Sequence, residues 1–311
     1  SGDSEVATLS LSSGQTVEIV VEFPFEAARV HGLWYGIREP GSVEELLREA
    51  AAAAAKADAV FLLVGETSDS SVESKDRPDT QLAAEQLALI ERVCAANPRT
   101  VVIANVGHAY DASWEGRAAA HIAAWYPGEG FADAIAAALA GDREPGGRMP
   151  VSIANEEADY PAFALKPDPD GKLAYSEGTD IGYRGIISAG KSARHPLGTG
   201  TGYTSFSWED VRIEDDGLSV RVENTGDRTG SDVVQVYRDD PNGALIGFGK
   251  IVLKAGQSGR AAIRLTQRRF ARWGDDGWHV PAGPCDVRIA RHAEDTVMKA
   301  QVDPRRLPTG L

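Results

Sequence analysis

Cysteine, methionine and cationic side chains are scarce in this sequence. Among its 311 residues only 2 are cysteine, Cys94 and Cys285. They lie far apart and neither belongs to a CxxC pair, which excludes a disulfide framework and a thiolate zinc site. No stretch approaches the roughly 18 consecutive apolar residues of a membrane helix. The longest uniform run is the alanine tract Ala50–Ala55, broken by Lys56, so no membrane partner is expected. Lys and Arg number 32 against 46 Asp and Glu, a formal charge of −14. Such a surface repels phosphate backbones, and no basic, aromatic-studded stripe offsets it, so nucleic acid is not a partner. A GxSxG elbow is missing, which argues against a serine hydrolase. The 6 histidines show neither HExxH nor i,i+4 spacing, so no metal is expected, and His108 and His121 read as packing groups rather than ligands. No organic cofactor is implied. The chain opens at Ser1-Gly2-Asp3 without methionine or a charged-then-apolar leader, which is the expectation for a processed product or a piece of something longer. Scarce cysteine is compatible with the cytoplasm, favoured here over secretion.

What is present divides along the chain. Residues 1–38 read as the tail of a β-rich domain. Leu9 and Leu11 alternate with polar residues, Ser13-Gly14 can turn, Val17, Ile19, Val21 and Phe23 alternate on the return, and a further strand is plausible over 30–35. From residue 39 to 165 the period changes. Ser42 and Glu45 have capping-box spacing ahead of a helix reaching Lys56. Ala59–Val64 is a continuous apolar run of the kind buried on both faces of a sheet. Helices are expected over Ala84–Ala96 and Phe131–Ala140, with strands at Val101–Ile103, near His121–Trp125 and at Val151–Ile153. This alternation predicts a mostly parallel, helix-covered sheet. Residues 166–206 lie within a Pro-, Gly- and Asp-rich stretch without sustained period and read as a long connector. Over 207–303 about seven short runs, among them Leu218–Val222, Val234–Val236 and Val287–Ile289, predict an immunoglobulin- or fibronectin-like β-sandwich. The fold class is therefore α/β plus all-β.

In an open parallel sheet, ligands bind beyond the carboxyl ends of the strands. The run Gly65–Asp79 follows such a strand, is longer than a structural βα turn, and carries five carboxylates with one lysine and one arginine. A carboxyl beside a cation stays ionised, whereas one in an apolar pocket is pushed up toward general-acid work. A solvated acidic surface loop is the plain alternative. Gly198–Gly202 resembles a phosphate loop but lacks the strand-before, helix-after context that chemistry needs. Trp114, Trp125, Trp208, Trp273 and Trp278 read as core anchors, while Trp34 or Trp114 could stack on a sugar ring.

Several stretches resemble a known family. Ala57–Gly65, Glu73-Ser74-Lys75-Asp76-Arg77, Gln86–Ile90, Trp125-Tyr126-Pro127-Gly128-Glu129, Gly141–Pro150 and Tyr175–Gly178 are similar to the C-terminal sandwich domain of glycoside hydrolase family 3. Pro196–Phe206 resembles the segment that joins it to the family's fibronectin-type module. Val222–Gly226, Val233–Tyr237 and Gly247–Lys250 resemble that module, and the opening residues the end of a protective-antigen-type sugar-binding insert. The resemblance implies a retaining β-glycosidase, of β-glucosidase type, acting on a β-linked glucoside or oligosaccharide. Its nucleophile aspartate would sit on an N-terminal (β/α)8 barrel and its acid/base glutamate on the sandwich-domain loop. Carried over by motif, Glu73 is the acid/base, with Asp69 and Glu66 as lesser candidates. Ser74 and Lys75 stand where many relatives have glycine and an aromatic, and Thr199 where many have histidine. Nothing here supplies eight βα units, so the nucleophile is expected elsewhere and the chain alone is expected to be inactive. A non-catalytic carbohydrate-binding or scaffolding module is the alternative, and an oligomer is compatible with either.

Overall fold

The computed structural model describes residues 7–22, 36, 42–67, 71, 73, 76–163, 166–241 and 243–310. The first helix, α1 (Val43–Ala54), begins where its cap predicts: the Ser42 hydroxyl accepts the Glu45 N–H at 3.1 Å, satisfying a donor the helix leaves over. The reciprocal arm of the box is diverted, because the Glu45 carboxylate accepts from Arg48 at 3.3 Å. Next come β1 (Val60–Gly65), α2 (Ala84–Ala96), β2 (Thr100–Asn105), a 3₁₀ turn at Glu115–Arg117, β3 (Ala120–Ala123) and α3 (Phe131–Ala140). The three strands pair in parallel in the order β1-β2-β3, Val60 opposite Thr100 and Val102 opposite His121. Helix α2 packs on the sheet and α1 on α2. Between them Ile90, Val102, Tyr110 and Trp114 form a buried cluster.

Two sequence expectations fail in this half. Strand β1 is not buried on both faces: Val64 is enclosed, while Phe61 and Leu63 are 56% and 57% exposed. It is an edge strand among the described residues, and α2 packs on one face of it, so an all-apolar run did not imply two covered faces. The opening segment forms the Ser13-Gly14 turn, with Gln15 N–H donating to Ser12 O at 3.0 Å and Gly14 at φ +82°. Yet residues 7–22 make no strand, and Leu9, Leu11, Ile19 and Val21 lie exposed. A lone two-strand ribbon with nothing to pack on is marginal in water. Phe23, Trp34 and residues 30–35 lie outside the described residues.

The connector carries more structure than its composition suggests. Strand β4 (Ile153–Ala154) pairs antiparallel with β5 (Ala193–His195), and between them α4 (Tyr183–Ser188) buries Gly185 and Ile186. The all-β half follows as β6 (Phe206–Glu214), β7 (Gly217–Asn224), β8 (Gly230–Arg238), β9 (Leu245–Leu253), β10 (Ser258–Arg264), the short α5 (Gln267–Phe270), β11 (Arg272–Gly274), β12 (Gly277–His279), β13 (Cys285–Ala290) and β14 (Met298–Val302). Sheets ordered β10-β7-β6 and β14-β13-β8-β9 face each other. Leu218, Val220 and Val222 of one pack with Val234, Val236, Val287 and Ile289 of the other, the period-2 pattern that a sandwich core demands. Hairpin β11–β12 stands aside. Its Trp273 and Trp278 are 67% and 50% exposed, so neither anchors the core. Instead they meet edge to face at 5.2 Å, with the Arg268 guanidinium over the Trp278 ring.

A polar seam joins the halves. Asp232 on β8 is buried and accepts from Arg148 Nη2 at 3.1 Å and from Trp208 Nε1 at 2.7 Å. Lys250 Nζ donates to Gly146 O at 2.9 Å. The Glu144 carboxylate accepts the Tyr203 N–H at 2.9 Å, and Gln235 Nε2 donates to Gly198 O at 3.1 Å. The 198–202 glycines therefore abut a carboxylate and an amide, an arrangement unsuited to a phosphate. With Arg148 and Asp232 side chains only 15% and 10% exposed, removing one partner strands a buried charge. Asp232→Ala is expected to lose about 3 kcal/mol of stability and to lower the thermal midpoint in calorimetry. An unchanged midpoint would show that the Asp232 contacts carry no net energy.

Candidate active site

The carboxyl end of β1 delivers the chain into the loop 65–79. Gly65 sits so close to β2 that a Cβ there would collide with the Asn105 carbonyl oxygen, which is why this position takes glycine. Its backbone is clasped from both sides: Gly65 N–H donates to Gln86 Oε1 at 2.7 Å, and Gln86 Nε2 donates to Gly65 O at 2.6 Å. Since β1 is an edge strand, this amide from the first turn of α2 replaces the ladder partner the edge lacks. Glu66 N–H then donates to Asn105 O at 3.0 Å, carrying the pairing one residue further.

The Glu66 side chain, 3% exposed, turns inward. Its Oε2 accepts the Tyr126 hydroxyl at 2.8 Å and the Gly107 N–H at 3.1 Å, and its Oε1 meets Arg77 and His108. His108 Nδ1 donates to Ala109 O at 2.7 Å, which leaves Nε2 as the acceptor of the neutral ring, so Arg77 Nη1 donates to both Nε2 and Glu66 Oε1. Burial, and secondarily the Arg77 charge, holds the His108 pKa below its usual value, against the pull of the Ala109 carbonyl. Burial also lowers the Arg77 pKa, opposed by Asp79 and Tyr126. The guanidinium reaches onward to the carbonyls of Asp79 at 3.3 Å and Gln81 at 3.4 Å. One buried ion pair thus pins both ends of the loop. Near its far end a cleft of about 480 Å³ is lined by Thr80, Tyr110, Asp111 and Glu157, among others. Asp111 is occupied by Ser113, at 2.7 Å to its hydroxyl, and Glu157 by the Thr80 N–H at 2.6 Å, so these two acids are structural.

The loop carboxylates separate by environment. Glu66 is consumed by three donors, Tyr126, Gly107 and Arg77, an arrangement that favours its ionised form and leaves no proton to give. Glu73 stands exposed, with no hydrogen bond or ion pair among the described residues, and Asp76 is exposed too. Asp69 lies outside the described residues. The structure brings Glu66 and Arg77 together and leaves Glu73 apart from both. Sequence reasoning missed His108 and Tyr126 as loop anchors; only the cations Lys75 and Arg77 within the loop hinted that one carboxylate would be paired. Trp114 is buried at 2% exposure, too deep to stack on a sugar.

Residues 6–183 match the glycosyl hydrolase family 3 C-terminal domain, and residues 232–293 a fibronectin type III-like domain. The chain belongs to glycoside hydrolase family 3. A β-glucosidase from Rhizobium radiobacter is 33% identical over 92% of this chain and 38% of its own length. An exo-α-(1→6)-L-arabinopyranosidase from Bifidobacterium longum is 33% identical over 81% of this chain and 36% of its own. The crystal structure of the family 3 β-glucosidase from Bifidobacterium adolescentis superposes with a TM-score of 0.78 at 30% identity, covering 85% of this chain and 41% of that one. The chain thus corresponds to the C-terminal part of a family 3 β-glucosidase-like protein and spans about two fifths of its relatives' length.

Replacing Glu66 with glutamine keeps its shape and removes the charge that holds Arg77. Glu66→Gln is expected to lower stability by about 2 kcal/mol and to expose residues 66–79 to limited proteolysis. Wild-type cleavage rates and an unmoved urea midpoint would refute the anchoring role.

Proposed function

We propose that this chain supplies Glu73 as the general acid/base of a retaining β-glycosidase, in a cleft completed by a (β/α)8 barrel carrying the nucleophile. The observation that supports this reading is the division between the loop's two described candidates: Glu66 is locked inside, and Glu73 is exposed on a loop anchored at both ends. A proton donor that must meet a sugar lodged in another domain has to stand proud of its own. The anchor limits the wandering that would otherwise degrade its geometry.

In the proposed reaction the barrel aspartate attacks the anomeric carbon while Glu73 hands its proton to the departing glycosidic oxygen. The same carboxylate then takes a proton from the water that releases the glycosyl-enzyme. Retention requires the two carboxyls to lie about 5–5.5 Å apart. Glu73 stands in open solvent, and general-acid work calls for a desolvated carboxyl. Closure against the barrel and a bound sugar would supply that desolvation together with the nucleophile's negative charge, both of which favour the protonated acid. Sugar choice belongs to the surface facing this loop. The β-glucosidase and arabinopyranosidase relatives mark the range to screen, with β-glucosides first.

The reading is tested in a protein that joins this chain to a family 3 barrel. Glu73→Gln is expected to lose at least about a hundredfold in kcat/KM on alkyl β-glucosides and far less on substrates whose leaving group needs no proton. Azide should restore turnover by forming the β-glycosyl azide. Full activity of the variant on poor leaving groups would sink the assignment. The 311-residue chain alone is expected to leave aryl β-glucosides intact. Saturable oligosaccharide binding by this chain, with Glu73→Gln silent in the joined protein, would favour a binding module instead.

A further inference from the structure

A second cluster of titratable side chains lies apart from the Glu66–Arg77 anchor, where the sheet meets the connector. Glu115 comes from the 3₁₀ turn, His121 from β3 and His195 from the end of β5. Glu115 Oε2 lies 2.6 Å from His195 Nε2 and 3.3 Å from His121 Nδ1. One ligand atom from each of the three residues falls within 4.8 Å of the others. We propose that Glu115, His121 and His195 form a binding site for a late first-row divalent cation, Zn²⁺ foremost, that cross-links β3 to β5.

The donor set suits that class of ion. Two imidazoles and one carboxylate match the borderline softness of Zn²⁺, and three protein ligands leave a fourth position for water. The outer contacts suit it as well. His121 Nε2 is 2.7 Å from the Tyr110 hydroxyl, and the ring rests edge-on against Trp114 with centroids 4.8 Å apart. Without metal, the Nδ1 proton serves Glu115 and Nε2 accepts from Tyr110. With metal on Nδ1, the proton moves to Nε2 and is donated to the Tyr110 oxygen. An outer partner that fixes a ligating imidazole in this way is the usual arrangement around protein-bound zinc. All three side chains are partly exposed, at 22%, 11% and 28% for Glu115, His121 and His195, so an ion can reach them.

Arg194 works against the ion. Its Nη1 lies 3.4 Å from Glu115 Oε1, placing a fixed cation beside the proposed divalent one. The site is therefore tuned to moderate affinity, and deleting that charge should tighten it. The cluster escaped sequence reading because His195 follows Glu115 by 80 residues, outside any short metal-ligand spacing.

The test uses the whole 311-residue chain, stripped with chelator and titrated with Zn²⁺ by calorimetry and with Co²⁺ by visible absorption. One equivalent is expected, with d–d bands of a nitrogen- and oxygen-ligated Co²⁺ and a raised thermal midpoint in Zn²⁺. His195→Ala should abolish the equivalent, Tyr110→Phe should weaken it about 10- to 100-fold, and Arg194→Met should tighten it. His279→Ala, in the exposed pair with Asp276, should leave it unchanged. Absence of a bound equivalent in the wild-type chain, or one that survives His195→Ala in a protein with a normal metal-free melt, would overturn the proposal.

Discussion

The geometry of the loop rests on one buried ion pair. Glu66 follows the last residue of β1 and turns back under the loop to meet Arg77, with the Tyr126 hydroxyl and the Gly107 N–H donating to its other oxygen. Burying two charges is costly unless each is paired and its remaining hydrogen-bonding capacity is met. Here Arg77 also donates to the carbonyls of Asp79 and Gln81. The result is a staple between Glu66 and Arg77 that the Gln86 clasp on Gly65 extends into the sheet. A segment of this length without such a staple would sample many conformations, and ordering it would cost conformational entropy.

The same logic recurs at the junction of the two halves. Asp232, inside β8, ties the Arg148 guanidinium to the Trp208 indole, so the Gly146–Pro150 segment is registered against the sandwich by a charged contact. Sandwich and sheet each have an apolar core of their own, and the junction adds to these polar contacts a small apolar cluster in which Tyr183, Ile187 and Leu197 pack on Tyr237 and Ala290. Apolar cores make each half fold; hydrogen bonds between them specify a relative placement, because a misplaced interface would leave buried donors unpaired.

Much of the local structure was legible in the chain. The spans of α2 and α3, the Ser42 cap and the alternating strands of the sandwich follow from periods of 3.6 and 2 and from cap chemistry, all properties of near neighbours. The loop's length after β1 and, by family resemblance, the motif Glu73-Ser74-Lys75-Asp76-Arg77 made it the candidate for chemistry. What could not be read was which carboxylate faces inward: the partners of Glu66 arrive from 42 and 60 residues downstream. Exposure of Phe61 and Leu63, the missing ladder over 7–22 and the exposed Trp273–Trp278 pair were misjudged for one reason. Hydrophobicity states what a residue would gain from burial, not whether another element is there to bury it.

By itself, then, the order of residues determined most helices and sandwich strands, the two-part α/β and all-β architecture and the family, since each is encoded in local pattern and motif. Only the tertiary structure decided which acid of the loop is spent as an anchor and which stands outward, how Asp232 joins the halves, and that two histidines and a glutamate converge beside β5. Those outcomes depend on through-space distances between residues far apart in the chain, which no local period records.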